Sequence, residues 1–362
     1  NKLAGETKVK DISKIGRFGL GFNAVYHLTD VPSFISREYL VTFDPNIHHL
    51  ERHIKDRSRP GIRINLAEKP ESLTRYHDQF QPYNGVFGCN TIQTRGRFYY
   101  DGTLFRFPFR TSSQAISSEI SKTVYDRNKV KAVVSSLCEC ASTLLIFSQH
   151  VKEVEVYELD NSSTQPDEMR LVLSVHKPSA QAFQRKGVDD VEPFIKQCSK
   201  WWLMYRDSKI SHTEYPSGCE LVNIVTVKEP SELSRCERRY SSDLMWFVVS
   251  ASGTNASLAI ASSSEGRARG FLPCGGVAFV IQRASEQGSW ESGVTSDLSG
   301  ELFCFFPLSI PTGLPVHVNG YFAIMPNRAE IWKRTMTRTQ SIEVKWNEAL
   351  MEDAVARAYI ML

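Results

Sequence analysis

The sequence predicts an α+β protein with two domains and a C-terminal helix. Its 362 residues are well over the roughly 150 residues of an ordinary domain. Strand-like segments are many and helical patterns few, which is typical of a mainly antiparallel α+β sheet. The Ser/Thr-rich stretch Thr111–Ser121 interrupts this pattern and indicates a boundary. We therefore expect four segments: a first domain over 1–111, a linker over 112–125, a second domain over 126–340 and a helix over 341–362.

The composition excludes several classes of protein. Hydrophobic residues make up 41% and charged residues 23% of the chain, which excludes a disordered or fibrous protein. The net charge of +3 is far below the excess expected of a nucleic-acid binder, and no apolar run reaches the ~18 residues that span a bilayer. The scattered cysteines form no CxxC pair and predict free thiols in a reducing cytoplasm. They are Cys89, Cys138, Cys140, Cys198, Cys219, Cys236, Cys274 and Cys304.

In the first domain, the apolar pattern of Phe22–Leu28 predicts a short helix that ends before Pro32. Alternating or β-branched residues then predict three strands, at Ser33–Ile35, Leu40–Phe43 and Thr103–Phe109. Residues 48–85 are rich in charge, proline and aromatic side chains, and we expect an elaborated loop or a small helical insertion there.

In the second domain, a helix is expected over 126–142. Strands are expected at Thr143–Phe147, Val151–Tyr157, Leu171–Val175, Cys219–Val227, Leu244–Ser250, Gly276–Gln282, Leu302–Leu308 and Val316–Ile324. The Gly/Ser-rich segments Ser262–Gly270 and Ser285–Gly300 predict mobile loops. The closing segment is amphipathic and predicts a helix whose packed side carries Trp346, Leu350, Val355 and Tyr359.

The glycine-rich turn within Ile15–Tyr26 says most about function. Gly16, Gly19 and Gly21 fall within six residues, and glycine lets the backbone take positive φ and approach a ligand closely. The amides of such a turn, at the start of a helix, favour a phosphate group. No Lys-Ser/Thr follows the last glycine, as a P-loop requires, and no βαβ unit completes a dinucleotide fingerprint. The glycines alone fit a tight packing turn equally well.

The wider string Ile-Gly-x-Phe-Gly-x-Gly-Phe-x-x-x-Tyr resembles the second glycine box of the GHKL ATPase superfamily, most closely the ninety-kilodalton heat-shock chaperones. This resemblance implies that the first domain is the C-terminal part of a GHKL (Bergerat) α/β sandwich, whose box amides bind the triphosphate of ATP. Asp101-Gly102-Thr103 matches the later Gly-Thr element of the family, which implies that Thr103 lies near the adenine. The implied cofactor-binding residues are Gly16, Arg17, Phe18, Gly19, Leu20, Gly21, Phe22 and Thr103.

Blocks along most of the chain resemble the repeat units of the sacsin family of very large cytosolic co-chaperones. The blocks are Gly16–Asn23, Val25–Pro32, Asp101–Arg110, Leu314–Ala323 and Asn327–Trp332. The resemblance implies a cytoplasmic module that works with the seventy-kilodalton heat-shock chaperones, with client proteins and with neighbouring repeats of its own chain.

The catalytic half of a GHKL site is missing from this sequence. The family places its catalytic Glu, its magnesium-binding Asn and its adenine-binding Asp upstream of this glycine box, and only fourteen residues precede Ile15. Because the chain also opens on Asn1, we expect the start of the domain to lie upstream. Hydrolysis needs a base and a metal, so no catalytic or metal-binding residue is assigned. We expect neither tight ATP·Mg binding nor ATPase activity from this chain alone; whether the intact protein hydrolyses ATP stays open.

Two hypotheses follow. The chain is either a nucleotide-gated chaperone module or a non-catalytic scaffold with a degenerate GHKL fold. A relation to DNA mismatch-repair proteins would need a basic DNA channel, which the net charge of +3 disfavours.

For most of the other side chains that could be functional, the sequence favours a structural role. Arg17 forms either a bidentate phosphate contact or a surface ion pair, and Arg328 either reaches a γ-phosphate or fixes a turn. Asn319-Gly320 predicts a tight turn or a bulge. Packed or solvated side chains are expected for the other groups: His27, His317, the trio His48, His49 and His53, and the basic segments Arg235–Arg239 and Gly266–Gly270.

Overall fold

The computed structural model describes residues 22–92, 97–160, 162–163, 165–178, 194–206, 215–284, 289–292, 299–325, 330–334 and 341–362. These residues form a mixed α+β structure with antiparallel sheets and a C-terminal helix, as predicted. They divide into two compact units. The small-sheet unit comprises Leu20–Val133 and Tyr157–Leu171, and the described residues of the large-sheet unit lie in Val134–Val156 and Val172–Leu362.

Four antiparallel strands make up the described sheet of the small-sheet unit, in the order β3-β2-β1-β4. They are β1 (Ser33–Arg37), β2 (Tyr39–Phe43), β3 (Gly61–Asn65) and β4 (Tyr100–Arg106). Three of them confirm the predicted strands, although β4 ends at Arg106 rather than Phe109. Short helices follow, namely α1 (Glu71–Arg75), α2 (His77–Phe80) and α3 (Ser112–Ser117). The predicted insertion at 48–85 is therefore partly helical but also contains β3, which was not predicted.

One face of the small sheet is buried by the insertion. Ile35 is paired with Leu40 on β2 and with Leu104 on β4, so the three side chains form one apolar row. Phe80 and Tyr83 of the insertion are almost completely buried in the same cluster. The core of this unit therefore lies between the sheet and residues 66–89.

The remaining elements follow in chain order: α4 (Arg127–Glu139), β5 (Glu153–Glu158), β6 (Arg170–His176), α5 (Phe194–Arg206), β7 (Ser217–Lys228), β8 (Tyr240–Ser252), α6 (Ala256–Ser262), α7 (Ser264–Arg269), β9 (Cys274–Ala284), β10 (Trp290–Ser292), β11 (Glu301–Cys304), β12 (Phe306–Pro311), β13 (His317–Gly320), α8 (Ile342–Leu350), a π-helical turn (Met351–Val355) and α9 (Ala356–Met361). Among the described residues, β5 to β13 form a nine-stranded sheet of order β12-β11-β13-β9-β8-β7-β6-β5, with β10 beside β9. Strands β11 and β13 are parallel, whereas β10 and β9, β11 and β12, β13 and β9, β6 and β7, β7 and β8, and β8 and β9 are antiparallel pairs.

Three predicted features of the second domain are wrong. Thr143–Phe147 forms buried turns rather than a strand, because its apolar run packs beneath the sheet instead of pairing with it. Leu302–Leu308 is divided into β11 and β12 at Phe305, whose φ is +67°. Asn319-Gly320 is not a turn but the buried end of β13, where the Asn319 side chain accepts a hydrogen bond from the Phe305 amide at 2.9 Å.

The predicted mobile loop at Ser262–Gly270 is instead helical. The Ser263 hydroxyl accepts a hydrogen bond from the Gly266 amide and caps the start of α7, and Gly270 ends α7 with a φ of +66°. The serine and glycine that suggested a loop are therefore helix caps. Among the described residues, no helix is long and apolar enough to cross a membrane. All eight cysteines carry free thiols, as predicted.

The C-terminal helix is buried against the large sheet. Trp346 is fully buried, stacks on Phe271 with 4.5 Å between ring centroids and donates its indole N–H to the Tyr321 carbonyl at 2.8 Å. Leu350 and Val355 are buried as predicted, but Tyr359 is 41% exposed. The prediction for Tyr359 was wrong, because on the last helical turn the preceding residue, Ala358, is the buried one.

Asp353 on this π-helical turn joins two distant parts of the large-sheet unit. Its carboxylate accepts hydrogen bonds from the amides of Thr254, Asn255 and Ser257 and from the Ser257 hydroxyl at 2.7 Å. Gly253 is required beside it, since an added Cβ would lie 1.8 Å from the Ser257 Oγ. Burial acts to raise the pKa of Asp353, but these hydrogen bonds outweigh it and hold the pKa below its usual value.

We expect Asp353→Asn to lower the free energy of unfolding by about 2–4 kcal/mol, because it removes charge-assisted hydrogen bonds from a buried site. A carboxyl whose pKa is lowered by folding stabilises the protein above its unfolded pKa of about 3.9 and loses that effect as the pH falls. The difference from the wild type, measured by chemical unfolding, should therefore shrink below about pH 4. The exposed neighbour Glu352 provides the control variant Glu352→Gln, and equal stability of both variants would contradict the role of Asp353.

His317 in β13 is a buried, uncharged histidine. Its ring lies 5.3 Å from Trp246 and 5.2 Å from Phe303, and its Nδ1 accepts a hydrogen bond from the Glu301 amide at 3.0 Å. Burial lowers its pKa from 6.5 to about 4. The expected packed role of this side chain is confirmed.

Because folding lowers the pKa of His317, its neutral form stabilises the protein fully above about pH 6.5, and this contribution of about 3 kcal/mol is lost between about pH 6.5 and pH 4. His317→Asn keeps an acceptor for the Glu301 amide but removes the titrating group. Unfolding of this variant should depend less steeply on pH in that window, whereas the exposed control His49→Asn should follow the wild type. Parallel pH profiles for the wild type and His317→Asn would refute this assignment.

Candidate functional site

The second face of the small sheet carries a cluster of aromatic side chains, which we call the aromatic face. Phe34 of β1 lies 6.2 Å from Phe43 of β2 and 5.3 Å from Phe105 of β4, measured between ring centroids. Phe107 stacks on Phe105 at 5.9 Å. Phe22 completes the cluster at 5.0 Å from Phe43 and 6.3 Å from Phe105.

Strand alternation places these rings on one side. Successive side chains of a strand point to opposite faces, so Ser33 and Ile35 of β1 face the core while Phe34 and Ser36 face the other way. The Phe34–Phe105 pairing then brings the two rings together across the sheet. Phe105 remains 46% exposed, so the aromatic face is open to solvent at the β4 edge of the described sheet.

A polar row crosses all four strands beside the aromatic side chains. Ser36 is paired with Tyr39 and with Thr103, and Tyr39 with Asn65. The Ser36 and Thr103 hydroxyl oxygens are 2.9 Å apart, and Ser36 also donates a hydrogen bond to the Gly102 carbonyl at 2.8 Å. Arg63 lies over the Tyr39 ring, with 5.2 Å from its guanidinium carbon to the ring centroid. The face thus offers stacking surface, hydroxyl groups and a cation within one sheet.

Of the eight residues predicted to bind the cofactor, two lie on the aromatic face and six lie outside the described residues. Gly16, Arg17, Phe18, Gly19, Leu20 and Gly21 lie outside the described residues, as does Arg328. Phe22, the last residue of the predicted set in the glycine box, begins a 3₁₀ turn over Phe22–His27, where the pattern predicted a helix. Its ring packs on the aromatic face. Thr103 lies on the same face, two residues before Phe105 on β4, so the structure brings two widely separated predicted residues onto one surface.

Sequence reasoning missed the buried ion pair between Arg110 and Asp30. The Arg110 side chain is 2% exposed and that of Asp30 13%, with 2.5 Å between Nε and Oδ1. The guanidinium also donates to the main-chain carbonyls of Tyr26 and His27. Asp30 lies in the sacsin-like block Val25–Pro32, and Arg110 ends the block Asp101–Arg110. The sequence shows an acidic residue near the end of one apolar block and a basic residue at the end of another. It does not show that these two residues, eighty positions apart, pair with each other.

A second buried carboxylate orders the loop after β2. Asp44 is 1% exposed and accepts hydrogen bonds at 2.7 Å from the amides of His49 and Leu50. Burial and, secondarily, the charge of Asp44 raise the pKa of Tyr26 on the 3₁₀ turn. The trio His48, His49 and His53 is exposed on this loop, as expected. In the described ranges, no group of three or more His, Cys, Asp or Glu side chains is arranged to hold a metal ion.

Comparison with known proteins gives two matches. The family model described as the sacsin domain matches residues 1–170. Human sacsin is 32% identical to this chain over 402 aligned residues, and the alignment covers 100% of the chain. The same alignment covers 8% of human sacsin, so the chain spans a small part of the length of that relative. The sequence is therefore sacsin-like throughout.

We expect Phe43→Ala to loosen the attachment of the 3₁₀ turn, because Phe43 is the ring closest to Phe22. Removing this half-buried ring should cost about 1–3 kcal/mol of stability. Amide hydrogen exchange at residues 22–28 should rise by tenfold or more. Phe87→Ala is a suitable control, since Phe87 lies 5.7 Å from Tyr157 and does not belong to the aromatic face. Unchanged exchange at 22–28 in Phe43→Ala would show that Phe22 does not hold the turn.

Proposed function

Because the chain is sacsin-like over its whole length, we propose that it is a chaperone module of a sacsin-like protein and carries the phosphate-binding half of an ATP site. The observation that supports this proposal is the placement of Phe22 and Thr103 on the same aromatic face. The two residues come from the two elements that resemble the GHKL family, and they are eighty-one positions apart in the chain.

The chemistry of the face fits a nucleotide. Phe22 directly follows Gly21, so the glycine box reaches the sheet at Phe43 and Phe105. Thr103 lies two residues from Phe105 on β4, and Ser36 lies two residues from Phe34 on β1. Two residues of an antiparallel strand span about 7 Å, so the hydroxyls lie about this far along the sheet from the aromatic rings. In this arrangement the box amides would bind phosphate oxygens, the aromatic rings would stack with a planar base and the hydroxyls would hydrogen-bond to its edge.

Binding of magnesium needs metal ligands, and attack of water on a phosphate needs a general base. We assign neither to the described residues of the aromatic face. A divalent ion on a triphosphate is held by carboxylate or amide oxygens. We therefore propose that this chain contributes binding and orientation, while a general base and metal ligands come from residues upstream of the glycine box. Bound phosphates would order the box and so bias the conformation of the module, with seventy-kilodalton heat-shock chaperones and client proteins as its cytoplasmic partners.

One observation favours a second function, that of a non-catalytic scaffold. The Thr103 hydroxyl is already paired with Ser36, and the adjacent Phe105 is exposed. An exposed aromatic surface with paired hydroxyls could also bind an apolar segment of a client protein. Binding of nucleotide distinguishes the two functions.

We expect the natural full-length protein to bind ATP in isothermal titration calorimetry, and Gly21→Val to weaken this binding by at least tenfold, since a side chain there would block the approach of phosphate. Gly218→Ala serves as the control, because its added Cβ makes only an ordinary contact of 3.4 Å with Phe194. Absence of ATP binding by a folded wild-type protein would overturn the nucleotide proposal and favour the scaffold.

A further inference from the structure

The loop between β2 and β3 is closed at its base and ordered inside; we call its residues 45–59 the basic loop. The Asp44 amide donates a hydrogen bond to the Pro60 carbonyl at 3.1 Å, so the chain leaves and rejoins the small sheet at one point. The buried Asp44 carboxylate accepts hydrogen bonds at 2.7 Å from the amides of His49 and Leu50. A compact surface loop whose ends meet is an Ω-loop, a form that frequently carries function.

The first residues of the basic loop are held in a strained conformation. Ile47 has a φ of +57°, in the left-handed region that a β-branched residue rarely adopts. Its amide donates to the Asp44 carbonyl at 3.0 Å, and the amides of His53 and Ile54 both donate to the Leu50 carbonyl. Such strain persists only where the surrounding contacts fix it, so these contacts set the shape of the loop before a partner binds.

The outer half of the basic loop concentrates positive charge. Residues 52–59 contain four exposed cations and one acid, so their net charge equals the +3 of the whole chain. The cations are Arg52, Lys55, Arg57 and Arg59. Arg57 forms an ion pair with Glu51 at 2.9 Å, and Arg59 forms one with Asp56 at 3.7 Å. Within the described part of the chain, Arg52 and Lys55 form no ion pair.

The two ion pairs of the basic loop are open to exchange. All four of their side chains are more than half exposed, and exposed ion pairs contribute little to stability because water competes for both partners. Carboxylates of another molecule can therefore replace Glu51 and Asp56 at small cost, while Arg52 and Lys55 gain partners that they lack. Arginine also binds a carboxylate through two parallel N–H bonds, which adds direction to the charge attraction.

We propose that the basic loop is a docking surface for an acidic peptide segment of a partner protein, whose Asp and Glu side chains pair with the four cations. The fixed backbone of the loop contributes to the affinity, because a loop that is already ordered loses little conformational entropy on binding. This interaction is independent of nucleotide binding, since no residue of the basic loop belongs to the aromatic face.

Two other kinds of polyanion fit the basic loop less well. Single-stranded nucleic acid is bound by aromatic side chains that stack on its bases, and residues 45–59 contain no Phe, Tyr or Trp. A membrane surface is bound by exposed apolar side chains that enter the lipid, whereas Ile47, Leu50 and Ile54 are half-buried. The carboxylates of a peptide need only exposed cations, which the loop presents on an ordered backbone.

The test uses the natural full-length protein and measures amide hydrogen exchange at residues 45–59 by mass spectrometry. Titration with a decaglutamate peptide gives the affinity of this loop alone, because protection from exchange is read at these residues. The double variant Arg52→Glu, Lys55→Glu reverses the two unpaired charges. Its matched control is Arg238→Glu, Lys345→Glu, which makes the same changes at exposed side chains elsewhere in the chain.

The variant Asp44→Asn separates an ordered basic loop from a simple accumulation of charge. It removes one negative charge, so electrostatics alone predicts equal or tighter binding of decaglutamate. The ordered loop predicts weaker binding, because a neutral side chain accepts weaker hydrogen bonds from the amides of His49 and Leu50. Thermal unfolding is recorded for each variant.

We expect the loop double variant to weaken decaglutamate binding by at least fivefold and Asp44→Asn by at least twofold, with the control within twofold of wild type. A loss of less than fivefold in the loop double variant, or an equal loss in the control, would overturn the docking surface. A smaller loss or tighter binding in Asp44→Asn would overturn the contribution of the fixed backbone. If Asp44→Asn does not fold, the loop double variant decides.

Two comparison probes test the class of partner: a ten-residue oligothymidylate and vesicles of phosphatidylserine and phosphatidylcholine. We expect decaglutamate to protect residues 45–59 at lower concentration than either probe. Stronger protection by the oligonucleotide or by the vesicles would assign the basic loop to a nucleic acid or to a membrane and overturn the acidic peptide. Absence of protection by decaglutamate in the folded wild type would also overturn this proposal and would leave the nucleotide proposal unaffected.

Discussion

The alternation of β1 is the constraint on which the small-sheet unit depends. This strand lies between β2 and β4, so both of its edges are hydrogen-bonded to neighbouring strands. Ser33 and Ile35 supply the core, whereas Phe34 and Ser36 supply the aromatic and polar rows of the candidate site. A register shift of one residue would exchange the two sets and destroy both surfaces together. The core and the aromatic face of this unit are thus encoded in the same five residues.

Buried charges provide the long-range connections that strands alone do not. Arg110 holds the turn after the glycine box, Asp44 holds the loop after β2 and Asp353 holds the start of α6. Each is hydrogen-bonded to main-chain groups, in the case of Arg110 in addition to its ion pair with Asp30, and these bonds satisfy its hydrogen-bonding capacity at a place where water is excluded. Buried charges therefore fix the turn after Phe22 in one unit and the C-terminal helix in the other.

The elements that could be predicted are those whose local pattern matches their final environment. The strands β1, β2, β7 and β8 alternate or carry β-branched residues along most of their length, and the C-terminal helix has a clear apolar stripe. Thr143–Phe147 was mistaken for a strand because an apolar run looks the same in a buried turn, and α7 was missed because its caps, Ser263 and Gly270, are also loop formers. For the candidate site, the motif indicated Phe22 and Thr103. The rows on β1 and β2 and the Arg110–Asp30 pair depend on register and on contacts across about eighty residues, which no local pattern contains.

In the proposed nucleotide site, the contacts to the base and to the phosphates would contribute unequally to the affinity. In that site, the Thr103 hydroxyl would exchange its bond with Ser36 for a bond to the base, and such an exchange of one hydrogen bond for another yields little net free energy. Contacts between main-chain amides and a phosphate are charge-assisted and about twice as strong as neutral ones. The polar row would then select the base, while most of the affinity would come from the box. Among the described residues, the turn that begins at Phe22 is held at its far end by the guanidinium of Arg110.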